Sequence, residues 1–529
     1  MKTLRMPIIL AIIATLSLGL AACGGGSSSS SEPTASSPTS TASSPTSTAS
    51  SPTSTASSPT SVTYSISGTL TGLAGGQQIT LLNNGSDALT VTASGSFTFA
   101  TSIASGGAYT VTVGTQPVGQ FCTVTNGTGT ASANVTNVSV NCAAVTESVL
   151  WSFGGTGDGA EPAAGLIMDS AGNLYGTASV GGVTISGGTV FKITPSGAES
   201  VLLAFDGTSA IGTNPALGVH PAGGLIMDSS GNLYGTTNSG GAHGAGTVFK
   251  ISPSGTATVL HSFGALNSGD GQYPMAGLIM DSAGNLYGTT NGGGTTGYGT
   301  VFKITPSGTE SVLWSFDGTT SSADGYSPMA PLIMDSAGNL YGTTYSGGTS
   351  DGGTVFKITP SGTESILWSF SFNGTGAGTG DGYDPVAGLT MDSAGNLYGT
   401  TLQGGAFNQG TVFKITPSGT ESVLWSFGGP GDGSEPSAGL IMDSAGNLYG
   451  TTKYGGAYSN SPNGGGTVFE ITPSGTESVL WSFGGTNTDG GEPLGGLIMD
   501  SSGSLYGTTL LGGAYSANGT QSGTVFKLN

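Results

Sequence analysis

Six aspartates, Asp158, Asp270, Asp324, Asp381, Asp432 and Asp489, each open the same five-residue stretch, D-G-x-x-P, at wide intervals along a 529-residue chain. Tyr273, Tyr326 and Tyr383 lie inside these stretches, and Tyr298, Phe407, Tyr458 and Tyr515 lie in glycine-rich segments between them. Carboxylates beside phenol rings can hold a carbohydrate, because sugar hydroxyls pair with carboxylate oxygens while the apolar sugar face lies on a ring. Asp270, Tyr273, Asp324, Tyr326, Asp381, Tyr383, Tyr298 and Phe407 are therefore the candidate ligand-binding set. The same letters also read as plain turn chemistry, with D-G opening a turn and proline ending it. A Ca2+ site takes six to eight oxygen ligands and each stretch offers one aspartate. No cofactor or metal is expected, with Ca2+ as the alternative.

Composition limits what can position these residues. Ninety-eight glycines and 7% charged residues disfavour helices and suit turn-rich β structure. The formal net charge is −20, and Arg5 is the only arginine. A chain with so little basic surface lacks the electrostatic footprint for phosphate backbones, so nucleic acid is excluded as a partner.

Lys2 and Arg5 precede an apolar run from Ile8 to Leu20, which is short for a membrane span and suits a signal-peptide core. The run ends Leu20-Ala21-Ala22-Cys23. This resembles the bacterial lipobox, which implies a signal peptide over 1–22, lipidation at Cys23 and a membrane partner through that anchor. Gly24 after the cysteine implies, by resemblance to Gram-negative lipoproteins, an outer-membrane address facing either the periplasm or the cell surface. Apart from Cys23 and Glu32, residues 23–61 collapse to Ser, Thr, Pro, Ala and Gly, with SSPTSTA starting at Ser36, Ser43 and Ser50. Proline in every unit and no apolar position predict a disordered linker with a polyproline II bias. Extended, it reaches on the order of 100 Å.

Between 62 and 144 short segments such as SISGTL, QITLLNN and YTVTVG alternate apolar and polar residues between turns, the pattern of a small antiparallel β-sandwich. Cys122 and Cys142 read as one disulfide in an oxidising compartment, stabilising by roughly 3 kcal/mol. The order of strands resembles carboxypeptidase-regulatory-like modules, and this implies a stalk.

The remainder, 146–529, is a tandem array. GLIMDSAGNLYGT and close copies place Asp169, Asp228, Asp281, Asp335, Asp392, Asp443 and Asp500 about 55 residues apart. Each unit offers four strand-like pieces, which predicts an all-β fold with a seven-bladed β-propeller. ESVLWSF at 147–153 is a fourth strand without its blade, and the chain ends after a third strand, so the first piece is expected to complete the last blade. Trp151, Trp314, Trp368, Trp425 and Trp481 occupy one fourth-strand position, where Leu203 and His261 substitute, and read as packing between blades. The motifs resemble the GloVer tandem repeat of bacterial secreted proteins with varied anchors, and the D-x-x-G-N-aromatic core is similar to NHL-type propellers. Glu470 departs from the usual Lys, and Ser504 from the usual Asn.

The turns D-S-x-G-N and T-P-S-G are constant and fall at one end of the array, whereas the second-to-third loops and the blade crossings vary at the other. Function is expected at the variable end. The reading is an extracytoplasmic binding or adhesion module for carbohydrate or a surface protein. The alternatives are a propeller lyase or hydrolase and a passive structural protein. For an enzyme, His220 and His243 are the candidates, placed by one repeat so that both can reach one patch as general base or metal ligand.

Overall fold

The computed structural model describes residues 62–529 apart from Val118 and the stretches 183–186, 206–216, 266–268, 319–323, 372–379, 460–464, 487 and 515–521. The expected leader, Cys23, the linker and Tyr515 lie outside the described residues. Among those described there is no helix, and all regular structure is β.

The repeat folds as its four pieces suggest. In the first unit Ile167–Met168, Leu174–Ala178, Thr189–Ile193 and Glu199–Ala204 form an antiparallel sheet in chain order. Seven such four-stranded sheets, numbered 1 to 7 along the chain, are present among the described residues. The seventh takes Ile498–Met499, Leu505–Thr509 and Thr524–Leu528, and its outer strand is Glu147–Ser152 from the start of the array. The Asp169 turn shows why the sentence repeats. Its Oδ1 accepts the backbone N–H groups of Ala171 and Asn173, both at 2.9 Å. Its Oδ2 accepts the Asn173 amide at 2.7 Å and the Tyr175 hydroxyl at 2.9 Å, while Gly172 takes φ 79°. One carboxylate thus ties the first strand to the second, and the aromatic residue after Asn-Leu completes the set. Gly176, mid-strand, lies against the Phe191 ring and Leu166, where a side chain would collide.

Neighbouring sheets are joined in register. A phenylalanine ending each fourth strand is buried edge-on against the third-strand phenylalanine of the next sheet: Phe153 on Phe191, Phe205 on Phe249, Phe263 on Phe302, and so on to Phe483 on Phe526. Second-strand threonines follow the same order. Thr177 donates to Gly223 O of sheet 2, Thr236 to Ala276 O of sheet 3, and the series runs to Thr508, which donates to Ala164 O of sheet 1. The segments entering all seven sheets line one cavity of about 360 Å3.

Residues 62–144 form two four-stranded sheets that share a core of Ile66, Leu70, Ile79, Leu81, Val111 and Val140. Cys122 and Cys142 face each other on adjacent strands and are disulfide-bonded. Phe121 and Val145 pack into the cluster between sheets 6 and 7, and the Asn447 amide reaches Val113 O. Both departures from the repeat sit here. Elsewhere the third-strand lysine lies over the second-strand tyrosine, as Lys192 does 5.4 Å from the Tyr175 ring. At the covered sheet 6 the position is Glu470, 1% exposed, which accepts the Tyr449 hydroxyl at 3.0 Å. Ser504 is buried beside Gly503, which Phe121 approaches. Burial disfavours the charged form of a lysine, whereas it raises Glu470 to about 7 and lets it sit protonated.

Candidate functional site

The variable loops build the end opposite the aspartate turns. Each crossing pairs with the second-to-third loop of the sheet it enters, as Gly271–Gln272 does with Gly292–Gly293. Side chains in these crossings therefore start from a fixed backbone.

The candidate set divides. Tyr273, Tyr298 and Phe407 stand out from this end, 44%, 42% and 56% exposed. The Tyr298 and Tyr326 rings meet edge-on at 5.5 Å, and the Tyr326 hydroxyl donates to Asp351 Oδ1 at 2.9 Å. Next to them Asp384 accepts the Tyr345 hydroxyl; burial raises the carboxyl to about 6, and Asp351 adds to the rise. Asp270, Gln272, Tyr273, Asn291, Thr295 and Ser327 line a groove of about 790 Å3 at the loop end of sheet 3. Tyrosine rings, amides and carboxylates are thus presented along sheets 2 to 5.

Other members are not on display. Tyr383 is 5% exposed, its hydroxyl held by Gln403 Oε1 at 2.8 Å and Asn408 Oδ1 at 3.1 Å. Asp270 and Asp324 are 8% and 6% exposed, and Asp381 is half-buried with a buried Oδ1. The crossing aspartates turn inward because backbone donors await them: Asp489 Oδ2 accepts Gly484 N–H at 3.0 Å and Gly485 N–H at 3.1 Å. They also face the seam to the next sheet. Asp432 accepts the Trp425 indole N–H at 3.2 Å. On the far side it meets Glu477 of sheet 6, whose carboxyl is raised to about 8 by burial first and the Asp432 charge second. The same neighbours recur as Asp489 with Glu147, Asp324 with Glu364 and Asp381 with Glu421, each glutamate raised to about 7. Asp270, Asp324 and Asp381 thus lie at the seams between sheets, with little of their surface open to the variable-loop end. The tryptophans belong to the same seams, half-buried, and the close packing between sheets is carried by phenylalanine.

The histidine pair does not assemble. His220, at φ 57°, sets Nδ1 3.2 Å from Ser179 O and faces Glu161. His243 is exposed on the sheet 2 loop, and no contact joins the two among the described residues. The third histidine bonds directly to a carboxylate: His261 Nε2 lies 3.3 Å from Asp270 Oδ1, and Glu310 completes a group of three potential ligands within 4.8 Å. Sequence reading passed over His261, although its place in a tryptophan column was the signal. Tyr345, Asp351 and Asp384 were also missed, and variation directly after the constant G-T-T was the sign for Tyr345.

The sequence matches the family model for the Gloeobacter/Verrucomicrobia repeat over residues 108–334, 218–380, 267–462 and 330–529. No curated protein sequence matches it. Among solved structures it is similar to virginiamycin B lyase from Staphylococcus aureus, at 14% identity and TM-score 0.46, over 73% of this chain and 98% of that one. PorZ, a surface component of the type-IX secretion system of Porphyromonas gingivalis, gives 14% and 0.45 over 80% and 60%. The extracellular domain of BT4673 from B. thetaiotaomicron gives 11% and 0.43 over 71% and 40%.

Proposed function

Because this chain belongs to the Gloeobacter/Verrucomicrobia repeat family, whose tandem units here fold as β-propeller-like sheets, we propose that it is an extracytoplasmic, lipid-anchored propeller that binds carbohydrate at its variable-loop end. In this reading the seven sheets are blades of one ring, residues 62–144 are a sandwich stalk, and Cys23 carries the anchor. The threonine and phenylalanine contacts that run from sheet to sheet and return to sheet 1 favour the ring. The disulfide accords with an oxidising compartment.

The observation that carries the binding role is the set of exposed rings on the variable loops, Tyr273 and Tyr298 at sheet 3, Phe407 at sheet 5 and Tyr458 at sheet 6, with Tyr273 lining a polar groove. Large rings left in water at the tips of rigid crossings are costly unless something covers them. A sugar face covers a ring and offers hydroxyls to Asp351, Asn291 and Gln272. Among the described residues His220 is bonded to Ser179 O and His243 is exposed on a separate loop, so the two do not form the pair that the lyase or hydrolase alternative would use.

The test is binding of the full chain to a panel of purified polysaccharides, with Tyr273→Ala and Tyr298→Ala. Each substitution is expected to weaken binding about tenfold, the equivalent of some 1.4 kcal/mol per ring, with the melting temperature unchanged. Unaltered binding in the double variant sinks the reading. Failure of every polysaccharide would move it to a protein partner.

A further inference from the structure

The seams between sheets contain one recurrent trio. A fourth-strand residue of one sheet, the crossing aspartate, and a fourth-strand glutamate of the next sheet converge. Five seams use Trp–Asp–Glu: Trp151, Asp158, Glu199; Trp314, Asp324, Glu364; Trp368, Asp381, Glu421; Trp425, Asp432, Glu477; and Trp481, Asp489, Glu147. The seam between sheets 2 and 3 alone uses His261, Asp270 and Glu310.

That exchange converts an indole, which can only donate one hydrogen bond, into an imidazole whose nitrogen has a lone pair. The nitrogen is aimed at the carboxylate: His261 Nε2 is 3.3 Å from Asp270 Oδ1 and 3.4 Å from Oδ2. Donor atoms held about 2.0–2.1 Å from a tetrahedral ion stand roughly 3.3 Å apart, so the pair already has the spacing of two ligands. Outer contacts fix both. Asp270 Oδ2 accepts Gly264 N–H at 2.9 Å, and the His261 ring packs edge-on to Phe263 at 4.7 Å. Glu310 supplies the third group. Its Oε1 is buried without a hydrogen-bond partner, and all three donor atoms lie within 4.8 Å of one another. With a neutral imidazole the trio carries two negative charges, which a divalent cation balances. The His261 side chain keeps 21% exposure, so the site opens to solvent on one side.

We propose that His261, Asp270 and Glu310 form a binding site for one divalent transition-metal ion, with Zn2+ as the reference ion and a fourth position open to water. An imidazole nitrogen beside two carboxylates selects zinc, manganese or cobalt over calcium. The site is independent of the carbohydrate reading. It shares one residue, Asp270, with the lining of the groove at sheet 3.

The experiment is titration of the full chain, stripped with chelator and dialysed, using Zn2+ by calorimetry and Co2+ by visible absorption. One equivalent per chain is expected, with Co2+ absorption bands of a four-coordinate nitrogen and oxygen site. His261→Trp makes this seam like five others in the same molecule, so it should retain the fold and lose the equivalent. Glu310→Gln should weaken binding at least tenfold, while His220→Ala and His243→Ala together leave it in place. Absence of a stoichiometric equivalent, or its survival in His261→Trp of unchanged melting temperature, overturns the site and leaves His261 and Asp270 as an ion pair only.

Discussion

Two seams of one array do the same mechanical task with opposite chemistry. Between sheets 5 and 6 the trio is Trp425, Asp432 and Glu477, joined by an indole hydrogen bond at 3.2 Å and backbone N–H groups of Gly428 and Gly433. Between sheets 1 and 2 the corresponding positions are Leu203, Leu217 and Ala257, which pack around the same kind of phenylalanine core. All three positions differ together at this seam, whereas the seam between sheets 2 and 3 exchanges only the tryptophan. A lone leucine in place of the aspartate would strand donors, and a lone aspartate among leucines would strand a charge. The polar version also has strain of its own, because Glu477 Oε1 is buried with no hydrogen-bond partner and its carboxyl is raised to about 8.

Breaking the polar trio should have the largest effect. Asp432→Leu alone removes the acceptor for the Trp425 indole and for Gly428 and Gly433, and should destabilise by about 3 kcal/mol in denaturant unfolding. Converting the whole trio, Trp425→Leu with Asp432→Leu and Glu477→Ala, should recover most of that loss. If the triple variant is no better than the single one, the three positions are not coupled and the comparison between seams loses its meaning.

What the sequence made legible follows the distance over which each signal acts. The Asp169 turn joins residues within six positions, and its letters were enough to read the hairpin. The lone fourth strand at 147–153 announced its pairing with the chain end because the repeat phase required it. The surroundings of the crossing aspartates were not legible because D-G-x-x-P is read locally, whereas Asp432 is held by Trp425 behind it and faces Glu477 forty-five residues ahead. Tyr383 is likewise set from beyond its own stretch: Gln403 and Asn408, in the adjoining loop, hold its hydroxyl and draw the ring in. Nothing in a single repeat shows which neighbour its loop will meet. Tyr273, Tyr298 and Phe407 keep 44%, 42% and 56% exposure, although the Tyr298 ring also meets Tyr326.

The seams and the turns also respond oppositely to pH, and this gives the smallest effect and the finest test. In the turns, burial alone would raise Asp169, but the Asn173 and Tyr175 donors and the Ala171 N–H outweigh it and hold the carboxyl below its usual value. Asp228, Asp281, Asp335, Asp392 and Asp500 do the same. Their contribution is present above the ordinary carboxylate range and is lost as pH falls through the lowered value. The seam glutamates are raised by burial, then by the facing aspartate, to about 7 for Glu147, Glu364 and Glu421 and about 8 for Glu477. They hold an extra proton in the folded state, so their contribution is full below 4.5 and fades as pH rises through 7 to 8. Melting temperature should therefore peak in mildly acid buffer and decline toward pH 8. The triple variant, having lost the Asp432 and Glu477 pair, should show a shallower decline over that interval while its acid limb stays unchanged. A decline as steep as that of the unmodified chain would mean that the seam carboxyls do not set the alkaline limb, and would remove the reason for regarding the apolar seam as the less strained of the two.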